Sequence, residues 1–364
     1  MALRTTYATS PLARSVLALG ALGWTCIAHA ELAVGSFANP GQVRIFANGA
    51  AGNAPPLLTI GGAATGLQTP ASMAFDPDPI EMFVSDYYGQ AIRVFDPRQT
   101  GDRPPIRTLS LPTRPGHIIV NAAFSELTFV ASGVYTYPID SDGTPSAPKR
   151  VIDWGGTIGS VTLLDQPAGL VAVASASADE LVVGDYDTSM GGEILAFARA
   201  ASGNVAPVRE IRGSLTALGS YVADLAFDRA RCELYALAAV ESGAFHIAVF
   251  YALDAGNVAP LRVIEGPSTL LDGAGGIGFD AENDRLWVTT GYDGGTPRLL
   301  AFSPSANGDV APVVVIEGSA TGLSVPYGVL PYQLPNPIFG DGFESGLASS
   351  LRPLAAAGEE LCVR

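Results

Sequence analysis

The chain has 364 residues, 35 of them acidic against 20 basic, for a formal net charge of −15, and it carries only three cysteines. A surface of that sign repels phosphate, and with Lys149-Arg150 as its densest basic pair the chain lacks the cationic stripe that nucleic-acid binding needs to displace counterions. Three cysteines make no disulfide framework and their spacing no zinc site, while the length admits one large all-β domain or two of average size.

The first element is a leader. Arg4 and Arg14 flank the start of an apolar run from Val16 to Ile27, and Ala28-His29-Ala30 places small residues at −3 and −1. Residues 1–30 are therefore predicted to be a secretory signal peptide cleaved after Ala30, which puts the mature chain in the periplasm or outside the cell. The run is too short to span a bilayer, which takes about 20 residues, so no membrane span is expected. Gly23-Trp24-Thr25 is also unlike the Leu-Ala-Gly-type lead that lipidation at Cys26 would need. Cys232 and Cys362 remain, and two readings stay open: a pair that ties the tail to the body, or a buried Cys232 with a free tail thiol.

From Glu31 the chain repeats itself. AGNAPPLLTIGG (Ala51 to Gly62) returns as SGNVAPVREIRG (Ser202 to Gly213), AGNVAPLRVIEG (Ala255 to Gly266) and NGDVAPVVVIEG (Asn307 to Gly318), with weaker copies in TGDRPPIRTLSL (Thr100 to Leu111) and APKRVI (Ala147 to Ile152). Pro56, Pro105, Pro148, Pro207, Pro260 and Pro312 anchor the copies at intervals of 49, 43, 59, 53 and 52 residues. Six units of about 50 residues fit the blades of a propeller. Gly-Asn or Gly-Asp supplies a positive-φ turn, and the proline opens a strand that can lack an N–H only at an edge, hence the outermost of its blade.

Each turn follows a strand ending in an aromatic residue, at Phe46, Phe95, Tyr137, Phe197, Phe250 and Phe302; these read as third strands. Second strands such as Met82 to Ser85, Leu181 to Gly184, Leu234 to Leu237 and Leu286 to Thr289 precede them. First strands are small (Ser72 to Phe75, Leu225 to Phe227, Gly276 to Phe279), as suits sheets that converge on an axis. Leu32 to Gly35, Val43 to Phe46 and Leu57 to Ile60 read as second, third and fourth strands that lack a first, and Tyr327 to Tyr332 as a first strand alone. The expected fold is thus all-β: a six-bladed β-propeller over residues 31–333, four antiparallel strands per blade, closed by N-terminal strands pairing with the last strand, which removes open edges. The 59-residue interval leaves either an extra strand or a long loop between Ser160 and Ser177.

After this ring, residues 334–364 form a tail with Ile338 to Ser345 (IFGDGFES). That run resembles a C-terminal motif of secreted gammaproteobacterial proteins, which implies sorting or processing; a strand or loop packed under the ring is the other reading. The repeat itself resembles NHL-repeat propellers, in the superfamily with gluconolactonase-like and TolB-like propellers. The resemblance implies the fold and leaves function open, because one scaffold hosts enzymes, receptors and scaffolds.

Function should sit where the loops entering first strands (Thr65, Arg114, Trp154, Asp165, Tyr221, Asp224, Asp272, Tyr327) meet those joining second to third strands. In the latter, Asp86-Tyr87, Asp185-Tyr186 and Tyr292-Asp293 repeat an aromatic beside an acid, and Phe37 keeps the aromatic in the closing blade. Such a rim could hold a sugar or a cation; the same residues equally suit turn capping and packing between blades. The gluconolactonase resemblance implies a divalent cation, for which His117, Asp224 and Asp272 are the available ligands, although no cofactor is called for by the residues themselves. The leading expectation is a secreted, monomeric, non-catalytic propeller that binds a protein, a small molecule or a glycan. The alternatives are a metal-dependent hydrolase or lyase and an extracellular structural scaffold.

Overall fold

A computed structural model describes residues 30–335, apart from 146, 155–159, 176 and 241–242, together with Cys362. The expected leader and the IFGDGFES run lie outside the described residues. Six four-stranded antiparallel sheets surround an axis, each built from neighbours in sequence except one. In that one, Ala30–Ser36 pairs on one side with Gln42–Ala47 and on the other with Pro326–Gln333, near the opposite end of the chain. The ring closes as the complementary ends require.

Both faces of every sheet are covered by the next blade, so the strands are apolar on both sides. Along Ala30–Ser36, Leu32 and Val34 pack with Trp287, Leu299 and Ile316 of the preceding blade, while Ala33 packs with Met73, Met82 and Val84 of the following one. The innermost strands are Pro70–Pro77, Ile118–Asn121, Gly169–Ala174, Tyr221–Asp228, Ile277–Asp280 and Pro326–Gln333. Their small residues are forced by crowding: a Cβ at Gly328 would stand 2.5 Å from the Ala71 carbonyl oxygen of the next blade. Gly328→Ala should therefore cost about 1–2 kcal/mol and lower Tm by about 4 °C, a shift that a thermal melt resolves.

The repeat unit holds neighbouring blades together. Gly52, Gly101, Gly143, Gly203, Gly256 and Gly308 all have positive φ, and each bridges the outermost strand of the blade before it. The adjoining Asn or Asp then reaches back across the interface. Asn53 Oδ1 accepts the Ala320 N–H at 2.7 Å, Asp102 that of Ala64 at 2.6 Å, Asn257 that of Leu215 at 2.8 Å and Asp309 that of Ser268 at 2.7 Å. The glycine that ends the four stronger copies leaves room for this: a Cβ at Gly213 would stand 2.6 Å from Asn257. What reads as turn chemistry is also an interblade clasp.

A second repeated device stands at the other end of the blades, where the outermost strand's arginine meets a second-strand glutamate. Arg107 pairs with Glu81, Arg150 with Glu126, Arg209 with Glu180 and Arg262 with Glu233. Three of these arginines also donate to a carbonyl of the following blade, at Ile139, Asp254 and Pro304.

The outermost strands are only partly covered. The apolar residue after five of the six anchoring prolines, such as Val208 or Leu261, is exposed, and only the third residue of each outermost strand is buried, because the start of the strand lies on the outer rim. Residues 160–168 form no strand, so the long interval holds a loop that leads into Gly169–Ala174. Cys232 and Cys362 are joined by a disulfide across 130 positions, the first of the two readings of these residues.

Candidate functional site

At one end of the channel, loops from five blades build a recess of about 710 Å³. Phe37, from the loop after Ala30–Ser36, stands between the rings of Tyr87, Tyr88, Tyr292 and Tyr327, with centroids 5.7, 5.9, 5.6 and 5.1 Å away. Tyr292 and Tyr327 meet edge to face at 4.9 Å. Phe37, Tyr87, Tyr292 and Tyr327 are half-buried, whereas Tyr88 and Trp154 present 52% and 44% of their surface. The aromatic cluster forms one wall, and Thr113, Ser132, Asp165 and Gln166 line the recess with it.

The guanidinium of Arg114 lies 4.9 Å from the centre of the Tyr88 ring and 5.6 Å from that of Tyr87. Cation–π contacts at exposed sites contribute about 0.5–1 kcal/mol each, enough to orient the planar fork. The Asp165 carboxylate is turned away to accept the Thr188 N–H at 3.1 Å, and its carbonyl oxygen accepts the Trp154 indole N–H at 2.8 Å. That second bond fixes the exposed Trp154 at the mouth.

His117, at the entry to Ile118–Asn121, lines both this recess and the channel beneath it. Its Nδ1 lies 3.0 Å from Asp224 Oδ1, which also accepts the Leu225 N–H, while Oδ2 accepts the Ile277 N–H. Burial lowers the His117 pKa to about 4 and raises that of Asp224 well above the usual carboxylate range. Both shifts favour uncharged forms, so the two make a hydrogen-bonded couple with no net charge. Nε2 of His117 is buried without a hydrogen-bond partner.

The suspected residues thus divide. Phe37, Tyr87 and Tyr292 converge, joined by Arg114, Trp154, Asp165 and Tyr327 from the loops that enter first strands. Asp86 is fully buried, accepting the N–H groups of Gln68 and Thr69 and pairing with Arg93 at 3.0 Å. Asp185 is equally buried and accepts the Asp165 N–H. Tyr186 lines a different recess with Asp187, Met190 and Ser220, and Asp293 stands in solvent. Tyr88 was not anticipated; the doublet Tyr87-Tyr88 was its signal.

The three suspected metal ligands do not assemble. His117 and Asp224 meet, but Asp272 is exposed and pairs with Arg298 at 3.2 Å. Among the described residues no group of three or more His, Cys, Asp or Glu surrounds a common point, and both Asp224 oxygens already accept backbone N–H groups. The residues present do not fit a divalent centre of the gluconolactonase type, and no chemistry is routed through one.

No protein-family model matches the chain, and no curated protein matches its sequence. Solved structures share its architecture. A chain in a nidogen/laminin complex aligns at 13% identity and TM-score 0.56, covering 82% of this chain and 97% of that one. A Bacteroides caccae protein of unknown function aligns at 13% identity and TM-score 0.55, over 83% and 98%. A candidate 6-phosphogluconolactonase from Bacteroides uniformis ATCC 8492 aligns at 15% identity and TM-score 0.52, over 80% and 84%. At such identities the likeness establishes the propeller and nothing finer.

Proposed function

We propose that this chain is a non-catalytic binding propeller whose aromatic recess holds a small polyhydroxylated ligand of saccharide type. The observation that carries the reading is the meeting, in one open recess, of a tyrosine wall and hydrogen-bonding side chains from separate blades. A sugar ring offers an apolar face for the first and hydroxyls for the second. A volume of about 710 Å³ lies within the range of about 300–1,000 Å³ typical of small-ligand sites. The protein works outside the cytoplasm, a reading supported by the leader-like residues 1–30 and by the Cys232–Cys362 bond, which suits an oxidising compartment. It acts as a monomer, since a closed ring leaves only edges of three or four residues.

The test is a thermal-shift screen against mono- and oligosaccharides. A ligand at about 100 times its Kd stabilises the folded ring by about 2.7 kcal/mol. Tyr88→Ala and Trp154→Ala, both at exposed positions, should abolish the shift while leaving the unliganded Tm within about 2 °C. A saccharide that stabilises both variants as well as the parent would place binding elsewhere and end the reading. The hydrolase alternative rests on the His117–Asp224 couple alone; a stoichiometric divalent ion in the purified protein would put it first.

A further inference from the structure

We infer that the ligand of the recess is an acidic saccharide, a uronate whose carboxylate is taken by Arg114. The inference rests on the binding function proposed above and narrows its ligand class. Among the described residues Arg114 is the one arginine or lysine lining the recess, in a chain where acids outnumber bases 35 to 20. Carboxylates occupy the arginines of the clasps at the other end, Arg107, Arg150, Arg209 and Arg262. Arg114 is exposed, and among the described residues no carboxylate lies within ion-pair distance of it. Its guanidinium is instead held against Tyr87 and Tyr88, which leaves its fork of donors open to solvent. A planar fork of that kind takes a carboxylate through two parallel hydrogen bonds.

The nearby acids are engaged with other groups. Asp86 pairs with Arg93, Asp165 turns to Thr188, and Asp224 forms a neutral couple with His117. Among the described lining residues Arg114 is therefore the cation open to an anionic ligand, in a molecule of net charge −15. Beyond about 8 Å at physiological salt the acidic surface is largely screened, so the local cation decides the preference. The ring of a uronate would lie on the exposed Tyr88 face, with hydroxyls directed to Ser132 and Gln166 across the recess. A free organic carboxylate without a ring would meet Arg114 and forgo the rest.

The experiment is calorimetric titration of the purified protein with D-glucuronate and D-galacturonate against D-glucose and D-galactose, repeated on Arg114→Met and Tyr88→Ala. The uronates should bind the parent at least about tenfold more tightly than the matching hexoses. Arg114→Met keeps the aliphatic stem on the tyrosines and should bring the ratio to about one through loss of uronate affinity; Tyr88→Ala should weaken both series. Uronates and hexoses binding the parent equally, or an undiminished preference in Arg114→Met, would overturn the acidic ligand and leave the saccharide recess standing. Failure of both series to bind would remove the recess reading and the inference with it. Because Arg114 is exposed, an unchanged circular-dichroism melt is expected for Arg114→Met.

Discussion

Replacing Arg262 by Met lowers the stability of the ring by about 2 kcal/mol and its Tm by about 4 °C. The cause is what the substitution leaves behind. Glu233 is half-buried between strands, and Arg262 binds it through both carboxylate oxygens while donating Nε to the Pro304 carbonyl of the following blade at 3.1 Å. Burial alone would raise the Glu233 pKa, but the hydrogen bonds from Arg262, aided by the Tyr235 hydroxyl at 2.8 Å, carry it below the usual value. Without the guanidinium, a partly desolvated carboxylate and an unpaired carbonyl remain. Adding Glu233→Gln to Arg262→Met should recover about half of the loss, since the uncompensated charge is then gone. If Arg262→Met melts with the parent, the clasp contributes no stability and the blades are held by packing and by the Asn/Asp contacts alone.

That clasp shows where the sequence could be read and where it could not. The six copies are visible because glycine, proline and an apolar ending recur at nearly constant spacing, and the chain ends reveal closure because each lacks the strands that the other has. The roles of the repeated polar residues were harder to see. Asn53, Asp102, Asn257 and Asp309 look like ordinary turn residues, yet their side-chain oxygens serve the preceding blade, a relation about 40 residues away along the chain and, for Asn53, 267. The arginine of Val-Arg-Glu-Ile or Leu-Arg-Val-Ile stands in the aligned motif, while its glutamate partner lies 24 to 29 residues upstream in a strand of no fixed sequence.

The recess was legible to a similar degree. Loops that share one end of a propeller can be enumerated once strands are phased, which brought Phe37, Tyr87, Tyr292, Arg114 and Tyr327 under suspicion together. Which side of a loop each residue turns to is set by three-dimensional packing. Tyr87 and Tyr186 occupy the same place in their repeats, yet only Tyr87 meets Phe37, since the latter comes from the closing blade, next to that of Tyr87. The acids of the same pattern follow the backbone: Asp86 and Asp185 turn inward to cap the incoming loop. Their likeness in sequence marks a shared structural task, whereas Arg114 and Trp154, which line the recess, belong to no repeat.

Asp185 has one further consequence, the second large effect expected of this chain: the ring should lose stability as pH rises from about 5 to about 9, and Glu193→Gln should abolish most of that loss. Asp185 and Glu193 are directly paired across neighbouring strands, both with no exposed surface. Neither oxygen of Glu193 has a hydrogen-bond partner, and Arg212, 3.6 Å away and about a third exposed, is its nearest cation. Burial, and then the charges of Asp185, Asp187 and Glu210, raises Glu193 to about 8 against the pull of Arg212; burial raises Asp185 to about 6. Both folded values exceed the unfolded ones, so the folded protein binds more protons than the unfolded chain. The stabilisation is complete below about pH 4 and drains away as pH climbs through about 6 and then about 8. One pKa unit corresponds to about 1.4 kcal/mol; with partial access of the Arg212 side to water, the loss is on the order of 2 kcal/mol. Glu193→Gln keeps the shape, removes the charge and brings an N–H to an unpaired oxygen of Asp185. At pH 8.5 its Tm should exceed that of the parent by about 4 °C, with the two converging near pH 5. Parallel Tm profiles across that range would mean that Glu193 is ionised in the folded ring at neutral pH and that Arg212 compensates it fully.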